Sequence, residues 1–166
     1  MNNKNRVDGN KKEFDYYIYI DYSENLIGYN IIEKDKIKEL LLKISKLKHY
    51  KNLKYKREYL NSMKKLFVRN KIESYLLKHK IRKMRDNLEV YTDIIDLIKK
   101  EKDKIIFISV DDKQYKRFKK LIKNLDVTNV KIEKEGKLKK DSAEYRMSLI
   151  IDTKLNLERR KQKAWV

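Results

Sequence analysis

The sequence predicts a single α/β domain built on a mixed sheet, and three observations carry that prediction. Residues 14–21 and 104–110 are β-branched and aromatic runs (FDYYIYID and KIIFISV), which suit strands apolar on both faces in a sheet covered on each side by helices. Between and after them, apolar residues recur at three- and four-residue spacing, the pattern of helices with one buried stripe. A chain of 166 residues with 40% hydrophobic content is long enough to bury one core.

The elements follow in order. Residues 1–13 (MNNKNRVDGNKKE) are polar and predict a flexible basic arm. The strand over 14–21 is followed by Tyr22-Ser23-Glu24-Asn25, which is turn chemistry, and by a second strand over 26–32, so 16–32 forms a hairpin. Ile37, Leu40, Leu41, Ile44 and Leu47 then recur at helical spacing. From Lys43 to Arg85 there are sixteen Lys or Arg residues, with only Glu58 and Glu73 as acids. Leu60, Met63, Leu66, Phe67 and others give this stretch a broken apolar period, read as one or two helices with a basic outer face. Val90, Ile94, Ile95 and Ile98 predict a further helix over 88–100, so 43–100 is expected to be a helical insertion. After the central strand come a helix over 115–125, a short strand over 127–133, a turn at Gly136 and a closing helix over 140–160. The domain is expected to span 14–160, with a basic tail over 161–166.

Charge and composition bound the function. Lys and Arg number 44 against 25 Asp and Glu, a net +19, which points to a polyanionic partner, RNA or DNA. The absence of Cys excludes disulfides, thiol nucleophiles and iron–sulfur clusters, and with only His49 and His79, read as surface residues, neither haem nor a His-rich metal site is expected. No apolar run reaches membrane-spanning length, and the first residues carry no signal-peptide core. A cytoplasmic protein without a membrane partner is the expectation, and its oligomeric state is left open.

A few carboxylates fall where a core should be. Asp21 ends the first strand, Asp111 and Asp112 end the central one, and Asp152 interrupts the apolar run Met147–Ile151 of the last helix. A buried carboxylate must be paired, hydrogen-bonded, protonated or bound to a metal. Strand C-termini line the usual ligand crevice of an α/β sheet, and acids converging there favour a hard cation, Mg2+ or Mn2+. The plain alternatives are that Asp111 or Asp112 caps the next helix and that Asp152 pairs with a nearby cation.

This pattern resembles the RNase H-like superfamily: a strand ending in Asp21, a return strand with Gly28-Tyr29, a central strand ending in Asp, and a final helix carrying an Asp. It is particularly similar to small uncharacterised families of that superfamily that open with Tyr-Ile-Asp-Glu-Ser and close with Asp-Ser, an apolar run and Asp. Here the opening is Tyr19-Ile20-Asp21-Tyr22-Ser23-Glu24, and the close is Asp141-Ser142 followed by Leu149-Ile150-Ile151-Asp152. The resemblance covers about residues 16–156. It implies Asp21, Asp111 or Asp112, and Asp152 as metal ligands, with Asp21, Asp111 and Asp152 as the catalytic set. Glu39, ahead of Glu33, is the nearest match to the family's helix carboxylate. Two divalent ions would then activate a water and hydrolyse a phosphodiester. Two departures stand out: the third strand of the opening meander is not visible, and the region from Lys43 to Lys100 is a long helical insertion; Tyr22 also replaces the small or acidic residue usual after the first Asp. A PIN-type nuclease is disfavoured by the second strand, and a glycosidase by the charge.

The basic stretch is the candidate nucleic-acid surface, with Lys56, Arg57, Lys64, Lys65, Arg69, Lys71, Arg82 and Lys83 as phosphate contacts and tyrosines interleaved for stacking. A metal-dependent nuclease is therefore expected. The alternative is a non-catalytic RNA- or DNA-binding protein, or a ribonucleoprotein component, that uses the same lysine-rich face.

Overall fold

Side-chain alternation along the first two strands sets the architecture, because apolar residues on both of their faces demand helices on both sides. The computed structural model describes residues 14–163. Its first half runs β1 (Tyr16–Ser23), β2 (Leu26–Glu33), α1 (Ile37–Lys43), α2 (Lys56–Arg69), β3 (Lys78–Lys83) and α3 (Asn87–Lys100). The second half runs β4 (Ile106–Val110), α4 (Tyr115–Asn124), β5 (Val130–Lys134) and α5 (Ala143–Lys163). The five strands form one mixed sheet in the order β3-β2-β1-β4-β5. β1, β2 and β3 are an antiparallel meander, while β4 and β5 run parallel to β1.

Two separate cores result. Tyr17, Tyr19, Ile32 and Phe107 pack under α1, α2 and α5. Ile18, Ile20, Tyr29, Ile106 and Ile108 pack under Val90, Ile94 and Ile98 of α3 and Phe118 and Ile122 of α4. The α/β expectation, with a mixed sheet and a hairpin, is met at this level; the centre of the sheet is β1, and β4, expected there, is an interior strand between β1 and β5.

The helical reading of 43–100 needs correction. α1 ends at Lys43, a short 3-10 turn covers Tyr50–Asn52, α2 follows, and the chain then returns to the sheet as β3, the third strand that the sequence did not display. Its sequence, KHKIRK, holds a single apolar residue, so it lacks the period-two pattern that marks a strand. As an edge strand it has no second neighbour, and its charges are met from α3. Lys80 Nζ lies 2.8 Å from Asp93, and Arg82 Nε lies 2.8 Å from Glu89. The predicted arm over 1–13, and residues 164–166 of the predicted tail, lie outside the described residues. Among the described residues no helix is long and apolar enough to cross a membrane.

Gly28 fixes the height of α5 above the sheet. A Cβ there would meet Ile151 Cδ1 at 2.9 Å, Ile81 Cγ1 at 3.1 Å and Leu155 Cδ2 at 3.2 Å. The helix that carries Asp152 therefore rests almost directly on the β2 backbone.

Candidate active site

Strand register gathers acids into a row. Asp21 lies opposite Gly28, on the face of β1 that α5 covers. One residue beyond the pairs Ile20↔Val110 and Val110↔Lys134 come Asp111 and Glu135, so three adjoining parallel strands each deliver a carboxylate near the same end. α5 sets Asp152 against this row. The crevice is about 840 Å³ and is lined by Asp21, Asp111, Asp112, Glu135 and Asp152, with His49 and Tyr50 along one side.

Asp21 is 8% exposed and Asp152 is 6% exposed. Burial drives the Asp21 carboxyl well above the ordinary carboxylate range, and the negative charges of Glu135, Asp152 and Asp111 push it further. The Tyr22 N–H, donating to Oδ1 at 2.8 Å, works against them. Asp152 is raised as well, again chiefly by burial. His49 and the Tyr50 N–H, which donates to Oδ2 at 2.9 Å, hold that rise back. His49 Nε2 stands 3.7 Å from Glu135 Oε2, too long for a good hydrogen bond but close enough for charge attraction. Glu135 first, and then Asp152, favour the charged imidazolium over the opposing effect of burial, so the His49 pKa is raised.

The two aspartates after β4 also build turns. Asp111 Oδ1 accepts the Lys113 N–H at 2.7 Å and caps the 3-10 turn Asp112–Gln114, which is the capping role weighed from sequence. Asp112 Oδ1 accepts the Gly136 N–H at 3.3 Å, and a Cβ at Gly136 would lie 2.8 Å from Asp112 Oδ2. Asp112 thus ties the turn after β4 to the turn that carries Glu135.

Asp21, Asp111, Asp112 and Asp152 are brought to one crevice, and Glu39 is not. Glu39 Oε2 accepts the Tyr75 hydroxyl at 2.8 Å on the protein surface. Two further acids line the crevice: Glu24, whose Oε2 lies 3.4 Å from Arg159 Nη1, and Glu135, which follows β5, where KIEKEGK alternates charges like a solvated strand and gives no local sign of a site. His49 is the other correction. The sequence predicts a surface residue, but its loop folds against the crevice beside Glu135, and no local pattern announces that contact.

The donor chemistry fits a hard divalent cation: several carboxylates share the crevice, and two of them, Asp21 and Asp152, are buried, each raised chiefly by burial and further by the charge of Glu135. Asp21 and Asp152, with Asp111 or Glu135, are the residues that would hold it. Among the described residues no three such side chains are drawn together as a ready ligand set, so binding would have to close the crevice. No family model, curated protein or solved structure matches this chain.

The basic residues divide. Lys56 lies at the crevice, its ammonium 5.5 Å from the Tyr50 ring centre, with the Arg159 guanidinium 5.6 Å from the same ring. Lys64 and Arg82 line a second groove beyond α5. Arg57 is exposed, and its carbonyl accepts Arg160 Nη1 at 3.3 Å. Lys65, Arg69, Lys71 and Lys83 are exposed and line neither cavity.

Proposed function

We propose that the chain is an RNase H-like, divalent-metal-dependent phosphodiesterase acting on nucleic acid. The observation that carries this reading is the row formed by Asp21, two residues inside the end of β1, and Asp111 and Glu135, just past the ends of β4 and β5, faced by Asp152 from the last helix. The antiparallel meander β1-β2-β3, followed by β4 and β5 parallel to β1, supports it as well, since the opening meander is what the resemblance implies.

Bound Mg2+ or Mn2+ would supply water activation and neutralisation of charge on the phosphoryl oxygens. The chain's own groups do the rest. Asp21 and Asp152 present buried oxygens, and the Tyr50 N–H fixes the direction of the Asp152 carboxylate. Lys56 and Arg159 bring positive charge to the crevice for the phosphates flanking the scissile bond. His49 holds a proton on Nε2 beside Glu135, in place to pass it to a leaving oxygen. A non-catalytic binding protein is the second reading, and the turn-building contacts of Asp111 and Asp112 favour it.

Thermal melts and cleavage assays on the parent and Asp152→Asn test the assignment. Mn2+ at about a hundred times its Kd should stabilise the parent by about 2.7 kcal/mol. That gain and the cleavage of labelled RNA or DNA should vanish in Asp152→Asn, while its metal-free stability is unchanged or higher. A parent that Mn2+ neither stabilises nor activates would reject the enzyme. Retained oligonucleotide binding would then leave the second reading in place.

A further inference from the structure

The C-terminal half of α5 has two lined faces. Asp152, Asn156 and Arg159, spaced along one side, border the acidic crevice. Lys154, Leu157 and Lys161 border a second groove of about 860 Å³ between α2 and β3. One helix wall therefore separates a crevice of mixed charge, which holds the aspartate row, from a groove in which cations outnumber acids. Where α2 meets that wall, the Arg160 guanidinium donates to the Arg57 carbonyl and ties the two helices together.

The cations of this groove are of two kinds. Lys80 and Arg82 of β3 are already engaged with Asp93 and Glu89. Lys154 is 7% exposed, with Nζ 2.8 Å from His79 Nδ1 and 3.4 Å from Glu73, so it is held in the wall. Lys64 and Lys161 are exposed and form no ion pair among the described residues. The same groove carries apolar surface from Phe67, Val68, Ile81 and Leu157, with Val68 77% exposed, beside the acids Glu73 and Glu158, of which Glu73 is already paired with Lys154. A duplex presents phosphates and hides its base faces, whereas a single strand offers both phosphates and bare bases. Paired lysines around an apolar strip match the single strand.

We propose that this groove holds a single-stranded nucleic-acid segment flanking the phosphodiester presented to the crevice, with phosphates on Lys64 and Lys161 and bases against Val68, Ile81 and Leu157. The proposal rests on the nucleic-acid reading of the crevice. It moves the binding surface from the outer face of the basic segment to a groove half built by α5.

Fluorescence anisotropy on the full chain tests it, with a labelled oligonucleotide of about twelve nucleotides, single-stranded or paired with its complement. The variants are Lys64→Gln/Lys161→Gln, Val68→Asp, and Lys116→Gln/Lys123→Gln on the exposed side of α4 as a charge-matched control. Losing two phosphate contacts should weaken single-strand binding by about tenfold and flatten its log–log salt slope by about 1.4. Val68→Asp should weaken single-strand binding severalfold with an unchanged melting temperature, and should affect the duplex less. The control should match the parent. Groove variants that bind like the control, in a protein that does bind nucleic acid, would overturn this inference and leave the function reading standing. Duplex bound as tightly as single strand, with equal sensitivity to the groove changes, or competition by poly-glutamate in preference to oligonucleotide, would overturn it too. A parent that binds no oligonucleotide would reject both readings.

Discussion

An ionised Asp21 is opposed by burial and by the charges of Glu135, Asp152 and Asp111, and the Tyr22 N–H offsets them in part. Its folded pKa lies well above the ordinary value of 3.8, so the fold holds that proton more tightly than the unfolded chain does. The associated stability is fully present below 3.8 and is lost as pH rises through the folded value. Asp21→Asn is indifferent to pH at this position. It should therefore gain on the parent across that window, by about 1.4 kcal/mol for each unit by which the pKa is raised. Mn2+ should shrink the gain by neutralising the parent's carboxylates. Melts of both proteins at stepped pH, with and without metal, measure this directly. A difference that stays constant with pH would mean that Asp21 is not in conflict with its neighbours. Asp21 and Asp152 were legible in the sequence because a carboxylate next to or inside an apolar run conflicts with burial. His49 and Glu135 carry no such conflict locally, since each lies among polar residues and acquires its surroundings only through the fold.

At the level of elements, two contacts set the geometry of the crevice. Ala is favoured over Gly in a strand by about 0.5–1 kcal/mol on backbone entropy alone. At position 28 the new Cβ would press on Ile151, Ile81 and Leu155 together, and overpacking costs about 1–3 kcal/mol. Gly28→Ala should therefore lower the melting temperature. It should also blunt Mn2+ stabilisation, because Asp152 directly follows the displaced Ile151. A variant as stable as the parent, with full metal response, would show that α5 has room to move. On the other face, Asp93 of α3 accepts the Tyr29 hydroxyl at 2.6 Å and Lys80 Nζ at 2.8 Å, and so anchors both β2 and β3. Burial opposes its charge, but these partners and Lys78 outweigh burial and hold its pKa below 3.8. Asp93→Ala leaves the Tyr29 hydroxyl and Lys80 without that acceptor and should cost about 2 kcal/mol near neutral pH, readable by urea melts. The sign is opposite to that of Asp21: this stability is present above 3.8 and disappears as pH falls through the lowered folded value. The same contact explains why β3 was illegible. β1, β2 and β4 announce themselves through apolar side chains, whereas KHKIRK is held by hydrogen bonds to β2 and by acids of α3 that lie outside any local window.

Over the whole molecule, 44 basic residues stand against 25 acidic ones, and most ion pairs among the described residues have at least one exposed partner. Such surface pairs contribute about 0–1 kcal/mol each, so they do not offset the repulsion among nineteen uncompensated positive charges. Salt shortens the reach of that repulsion, from about 10 Å at 0.1 M to about 3 Å at 1 M. The free protein should therefore become more stable as sodium chloride rises. A relief of about 2 kcal/mol would read as roughly 4–8 °C in the melting temperature of a chain this size. Bound nucleic acid should reverse the trend. At low salt an oligonucleotide supplies the missing negative charge and raises the melting temperature, and added salt removes that gain by competing for the phosphates. Melting curves across a salt series, with and without saturating single strand, should converge at high ionic strength. A free protein whose melting temperature falls with salt would mean that its ion pairs outweigh its net charge. The basic excess would then need no polyanion to account for it.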